Sequence, residues 1–423
     1  MIEINFNKKL SNVYLYALIA VTTLMGPLLY IKVISLYHLI ILGLSAVLLV
    51  KGLKLPELNT TVVKFAAFWA LEALISCIWA PDTAKALTYS YYVFLILALA
   101  LLTQTYLNKD NIIYIFRVFV IVLFVCNIIA IWETFSGNHI IKDYLDTPDR
   151  FRLLQFVPGV SFRNPNDFAT YIVQIIPFTF ACIYDENKIF KVIAFANLLL
   201  SLFTVFASQS RTQTIIIMVM YIFFMIFSKK SSVVKIILAF IAVLFVLSLV
   251  VPAISDVINS AFESISEKEI QESIIGGSMN TRFQLLYNGI YMLVNTFGFG
   301  VGAGCHRVLM PQYSLQYYYT KEIYVMHNLL AEIFVDYGLI IGITFVIVLV
   351  RLCVKLFSVF KKNDNMMVKT ASIMLFFSMA TFVICGISSS SILQLTSLWT
   401  GFCMAGAMIN LYARREKNDK KFN

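Results

Sequence analysis

Apolar residues run along this chain in long blocks separated by short polar punctuation. The blocks lie near 13–31, 33–50, 62–80, 86–106, 112–132, 166–184, 192–210, 212–227, 233–252, 328–350, 366–386 and 392–412. Each approaches or exceeds the roughly 20 residues a helix needs to cross a ~30 Å hydrocarbon slab. The pattern predicts an all-α polytopic membrane protein with about 12 transmembrane helices. A barrel is excluded, because the blocks are continuously apolar and far longer than a membrane strand of ~10 residues. The whole chain, 1–423, reads as a single polytopic membrane domain.

Two polar interruptions are too long to be simple connectors, an external loop at 133–165 and a large external loop at 253–327 between spans nine and ten. The large loop opens with SDVINSAFESISEKEIQES, where Val257, Ile258, Ala261, Phe262 and Ile265 fall at helical spacing opposite acidic residues. This predicts an amphipathic helix lying on the membrane or the bundle. A second helix is expected to begin after Ser278 or Thr281 and to run through RFQLLYNGIYMLVNT to Gly298 and Gly300, with Arg282 in its first turn.

Composition sharpens the class. Of all residues 60% are hydrophobic and only 13% charged, and the mean hydropathy is +0.82. Soluble globular, secreted, disordered and collagenous readings fall away. A net charge of +10 would otherwise suggest a nucleic-acid partner, but the basic residues flank apolar spans, where they set orientation. With the N-terminus cytoplasmic, 22 of the 33 lysines and arginines lie inside. MIEINFNKKLSN has the basic start of a signal peptide without a small-residue cleavage site, so it reads as the lead of a retained first span.

The two basic residue types part company. Eighteen of 23 lysines are inside, whereas six of ten arginines are outside: Arg150, Arg152, Arg163, Arg211, Arg282 and Arg307. A planar guanidinium grips phosphate or carboxylate oxygens with two parallel hydrogen bonds, which lysine cannot reproduce. Pairing with the external acids is the plainer alternative.

Seven cysteines show no CxxC spacing and four histidines form no HExxH, so neither a disulfide framework nor a metal site is expected, and no cofactor. The connection ASQSRTQ sets Arg211 at the outer interface, at headgroup depth, where it can bind a ligand or simply snorkel. Arg163 has a similar place in VSFRNPNDFA, whose Asn164-Pro165-Asn166-Asp167 turn leads into span six and also fits a plain helix cap. GFGVGAG resembles a phosphate loop only loosely, since no GK[ST] follows, and the chain has no DxD. His306 reads as an ordinary polar loop residue.

His327 is the histidine to single out, because it stands near water and near the interface at the head of HNLLAEIFVDYGLIIG. An ordinary histidine pKa of about 6.5 suits a general base, although a capping role fits as well. Asn328, Glu332 and Asp336 follow at steps of four along one stripe of the helix facing the bundle. Glu332 can shape the site, and Asp336 reads as merely paired.

Taken together, SQSRTQ, NTRFQLLYNG and MHNLLAEIFVDYGLIIG resemble the O-antigen ligase and polymerase superfamily of bacterial membrane glycosyltransferases, and FRNPNDFA is similar to some of its members. The resemblance implies a GT-C-like, metal-independent, inverting glycosyltransferase in the cytoplasmic membrane, with both termini cytoplasmic and the active site outside. Its donor would be an oligosaccharide on undecaprenyl diphosphate in the bilayer. A flippase and a chain-length regulator of the same pathway would be its protein partners. By the resemblance, Arg211 and Arg282 hold the diphosphate and His327 lies at the reaction centre. Arg163, Asn164, Asn166, Asn328 and Glu332 are further substrate-binding candidates. Leu329 stands where some ligases carry an acid, and Asp336 precedes a Tyr337-Gly338 turn, which leaves ligase and polymerase open; the likeness to NPNDFA-bearing members leans to polymerase. The alternative class is a twelve-span flippase or transporter, against which stand the long loops after spans five and nine, since they break simple halving.

Overall fold

The computed structural model describes residues 30–31, 34–51, 60–141, 154–227, 278–388 and 393–419. Most of predicted span one, all of span nine and the amphipathic segment 255–273 lie outside the described residues. A two-residue antiparallel pair, β1 (Tyr30–Ile31) with β2 (Ile34–Ser35), precedes the helices. These are α1 (Leu36–Lys51), α2 (Thr61–Ile75), α3 (Thr83–Tyr106), α4 (Ile112–Ser136), α5 (Pro165–Cys182) and α6 (Lys188–Ala207). They continue as α7 (Arg211–Phe227), α8 (Ser278–Asn295), α9 (His306–Gln316), α10 (Leu329–Lys362), α11 (Met366–Ser388) and α12 (Thr400–Asp419).

Among the described residues, six helices are long and apolar enough to cross a membrane: Thr61–Ile78, Thr83–Tyr106, Ile112–Ser136, Lys188–Ala207, Leu329–Lys362 and Met366–Ile387. His38–Val50 and Arg211–Phe227 are shorter apolar helices. Apart from the short β1–β2 pair, the described residues are thus helical, and their apolar helices indicate a multi-pass membrane protein. Its helix ends follow local chemistry. Thr60, Asp82 and Asn187 cap α2, α3 and α6 by accepting hydrogen bonds from the backbone N–H of Val63, Lys85 and Ile189. Gly137, at φ 66, closes α4.

Helix α5 is buried on nearly every face, as a helix at the centre of a bundle should be. It packs against α4, α6, α7 and α11. Polar side chains tie the helices together: Asn127 donates to Asn197 (3.1 Å) and Ser201 (2.9 Å), and Ser378 donates to Gln174 (2.6 Å). An aromatic core of Trp69, Tyr337, Phe345, Phe382, Trp399 and Phe402 joins α2, α10, α11 and α12. At one end of the α4–α5 pair, Arg117 grips Asp185 with two hydrogen bonds of 2.8 and 2.7 Å. At the other end, the buried Glu133 carboxylate accepts from the backbone N–H of Ile140, Gly159 and Val160. The two anchors pin the hairpin, with the 133–165 loop rooted on Glu133.

Span ten departs from expectation. In place of one run over 328–350, α10 reaches Lys362 and is broken at Gly338, whose φ of 80° and ψ of 177° are not helical. Residues 339–362 alone exceed a ~30 Å slab at about 1.5 Å per residue. Glu332 and Asp336 therefore lie on a short helical segment ahead of the break, not inside the long apolar stretch.

Candidate functional site

The short segment of α10 begins at Asn328, whose side chain accepts the Ala331 N–H at 3.1 Å and so caps the helix. Immediately before it, half-buried His327 is held at φ 47, a left-handed conformation that is uncommon outside glycine. Glu332 and Asp336 follow, both buried.

His306 differs from its sequence reading. It is fully buried, opens α9, and is bound twice to Asp336. Its backbone N–H donates to Oδ1 at 3.0 Å, and its ring Nδ1 lies 2.9 Å from Oδ2. The other ring nitrogen lies 3.9 Å from Glu332, and the Arg307 guanidinium stands at the same distance from that carboxylate. Arg307 also sits over the ring of Tyr89, whose hydroxyl accepts from Gln394 at 2.7 Å. Next to His306, burial pushes the Cys305 thiol up to about 11, so it serves as a neutral donor to the Asp82 carbonyl. The sequence signal for this cluster was slight, a His-Arg pair one residue beyond GFGVGAG.

The glycine run has a packing role. Val301 and Gly302 N–H donate to the carbonyls of Val335 and Asp336, and Leu339 N–H donates to the Gly298 carbonyl. The loop thus satisfies backbone groups freed by the break in α10. A Cβ on Gly338 would stand 2.6 Å from the carbonyl oxygens of Gly298 and Phe299. One on Gly300 would stand 2.6 Å from the Gly338 nitrogen. Trp79 clamps the same loop by donating to the Gly300 carbonyl at 3.0 Å. Beside it lies an apolar cleft of about 190 Å³ walled by Phe68, Leu71, Glu72, Trp79, Phe299 and Tyr337, among others.

The candidate arginines and asparagines fall on two assemblies. Arg211, half-buried, opens α7 after the turn Ser208–Ser210. Asn164 caps α5 by accepting the Asn166 N–H at 2.9 Å, with Pro165 in the first turn, while Arg163 is exposed. Thr170 donates to the Asn166 carbonyl and accepts from Gln213, which also donates to the Cys385 carbonyl. This chain locks the start of α7, two residues from Arg211, to the start of α5. In the second assembly, α8 packs against α9 and α10, with Met326 and Val335 seated over Gly289. Half-buried Arg282 stands one turn in from the start of α8, not in its first turn. Helix α11 packs on both α5 and α10 and so joins the two assemblies. Among the described residues, no three His, Cys, Asp or Glu side chains are grouped to hold a metal ion.

Residues 196–347 match the family model described as O-antigen ligase. Over 360 residues the chain is 24% identical to the teichuronic acid biosynthesis protein TuaE of Bacillus subtilis (strain 168), covering 84% of this chain and 72% of that relative. Both matches support the O-antigen ligase and polymerase superfamily. The family segment spans Arg211, Arg282, His327, Asn328 and Glu332, and also His306 and Asp336, whereas Arg163, Asn164 and Asn166 precede it. They support a membrane enzyme of polysaccharide biosynthesis in the ligase and polymerase superfamily.

Proposed function

We propose that the protein is a GT-C-like glycosyltransferase of the cytoplasmic membrane, with cytoplasmic termini, that joins glycan units delivered on undecaprenyl diphosphate at the outer face. The family match over 196–347 carries this reading, because it encloses Arg211, Arg282 and His327 in one segment. The preferred activity is polymerisation of a surface glycan. A relative named for teichuronic acid biosynthesis agrees with a surface polysaccharide as product.

The chemistry follows from the residue types. The acceptor hydroxyl oxygen attacks the anomeric carbon of the donor sugar while the bond from that carbon to the diphosphate oxygen breaks, inverting the centre. His327 takes the hydroxyl proton. The charge left on the diphosphate is met by Arg211 and Arg282, whose guanidinium groups stabilise it increasingly toward the transition state. Asn328 and Glu332 shape the floor under His327, and Arg163, Asn164 and Asn166 line the donor side. The apolar cleft beside Trp79 and Phe299 suits a prenyl chain.

One gel tests the reading. In a deletion strain, loss of a polymerase leaves single repeat units on lipid, whereas loss of a ligase leaves long lipid-linked chains without their final acceptor. If the purified protein instead moved a lipid-linked glycan across liposomes without ever changing its length, the transporter reading would replace this one.

A further inference from the structure

The exposed surface of α8, α9 and the following loop carries a row of stacked tyrosines. Tyr291 and Tyr317 lie 4.5 Å apart, 12° from parallel. Tyr313 packs on Tyr317 at 5.4 Å, and Tyr287 pairs with Tyr318 at 5.3 Å. Although stacked, Tyr287, Tyr291, Tyr317 and Tyr318 each remain 38–48% exposed. The row is rigidly built. Asn288 brackets the backbone of Tyr318, donating to its carbonyl at 2.8 Å and accepting its N–H at 3.2 Å. Asn295 donates to the Tyr313 hydroxyl at 2.9 Å, and Ser314 accepts the Thr320 N–H at 2.8 Å.

We infer that this tyrosine row is a carbohydrate-binding shelf, on which pyranose rings of the glycan stack as it enters or leaves the reaction centre. This rests on the glycosyltransferase reading above. Between residues 287 and 324 the chain has seven tyrosines, two phenylalanines and no tryptophan. The selection is for rings with a hydroxyl tip, which suits a ligand that offers a C–H-lined face and a rim of hydroxyls. Tyrosine also provides wide contact area at small entropic cost. The hydrocarbon layer asks for something else, and the neighbouring stripe of α8 has it: Phe283, Ile290 and Val294, exposed and purely apolar. The shelf is connected to the proposed centre, since Asn288 is followed by Gly289, over which Met326 packs directly before His327.

The test uses the full-length protein in phospholipid nanodiscs and, as probe, soluble oligosaccharides cleaved from the host's surface polysaccharide. Saturation-transfer NMR reads contacts from aromatic protons to the probe. The double variant Tyr291→Ala/Tyr317→Ala should bind the probe roughly tenfold more weakly, whereas Tyr291→Phe/Tyr317→Phe, which keeps the ring faces, should stay within about threefold. Wild-type binding by the alanine variant, at an unchanged melting temperature, would overturn the shelf. So would transfer to lipid headgroups in place of sugar protons. Product is scored separately in the deletion strain. If the wild-type gene restores glycan while the alanine variant binds normally, the shelf fails and the glycosyltransferase reading stands. If the wild-type gene restores no glycan, that reading fails and takes the shelf's role with it.

Discussion

Asp336 holds His306 by two atoms at once, the backbone N–H at 3.0 Å and the ring Nδ1 at 2.9 Å, with both side chains buried. One residue ends the short segment of α10, and the other opens α9 thirty positions earlier. The pair makes α9 and the short segment of α10 that follows His327 a single unit. Asp336→Ala orphans both donors, with an expected loss of about 2–5 kcal/mol of stability. Asp336→Asn keeps an acceptor for the N–H and should lose less. Melting temperatures of the purified variants check the order, and equal values for wild type and alanine variant would refute it.

Gly338→Ala places a methyl group 2.6 Å from two carbonyl oxygens in a backbone region that only glycine occupies readily. The expected result is failure to accumulate as folded protein. Gly43→Ala is the matched control, because the site lies within α1 with nothing inside 4 Å. It should be neutral or stabilise by about 1 kcal/mol. Fluorescence-detected size exclusion of the two variants gives the comparison directly.

For Arg211 and Arg282, lysine preserves charge but not the planar fork. If both arginines bind diphosphate bidentately, each Arg→Lys variant should lose most activity at normal expression. Full polymer production by both variants would remove the diphosphate clamp.

His327→Ala should slow turnover by roughly 10²–10⁴-fold while leaving lipid-donor affinity nearly unchanged. Because a general base must be neutral, the wild-type rate should fall on acidification. Since Asn328 is the cap of α10, the alternative for His327 is a structural role at its left-handed position, and His327→Asn separates the two: asparagine tolerates φ 47 and hydrogen-bonds but cannot move the proton. An asparagine variant at the wild-type rate, with the same acid limb, would make His327 structural and direct attention to Glu332.

Asp185 gives a pH prediction away from the site. Burial raises its carboxyl pKa, but hydrogen bonds from Arg117 and the Asn187 N–H outweigh this and hold it below the ordinary value. A depressed folded-state pKa means that its stabilisation is complete above the unfolded value, about 3.9, and is lost as pH falls through the folded one. The melting-temperature gap between wild type and Asp185→Asn should be constant from about pH 5 to 8 and shrink only in stronger acid. A gap that closes already at neutral pH would contradict the assignment.

What the sequence by itself determined is what local chemistry decides. Blocks of apolar residues long enough to span a bilayer place most helices, since that requirement is met within one segment. Asn164, Arg211 and Asn328 stand at the helix starts where the sequence puts them, because caps and turns are settled over three or four residues. The tertiary structure alone decided the rest. His306 looked like a loop residue because its partner Asp336 is distant in sequence, and burial is a property of packing, not of spacing. That the chain breaks at Gly338 instead of running on as one helix was decided by packing, since the carbonyls of Gly298 and Phe299 on another segment press on the site and hold its backbone at φ 80. The tyrosine row likewise assembles from α8, α9 and the loop after it. Such contacts close loops of tens of residues, and no local periodicity reports which of the many possible closures the core will reward.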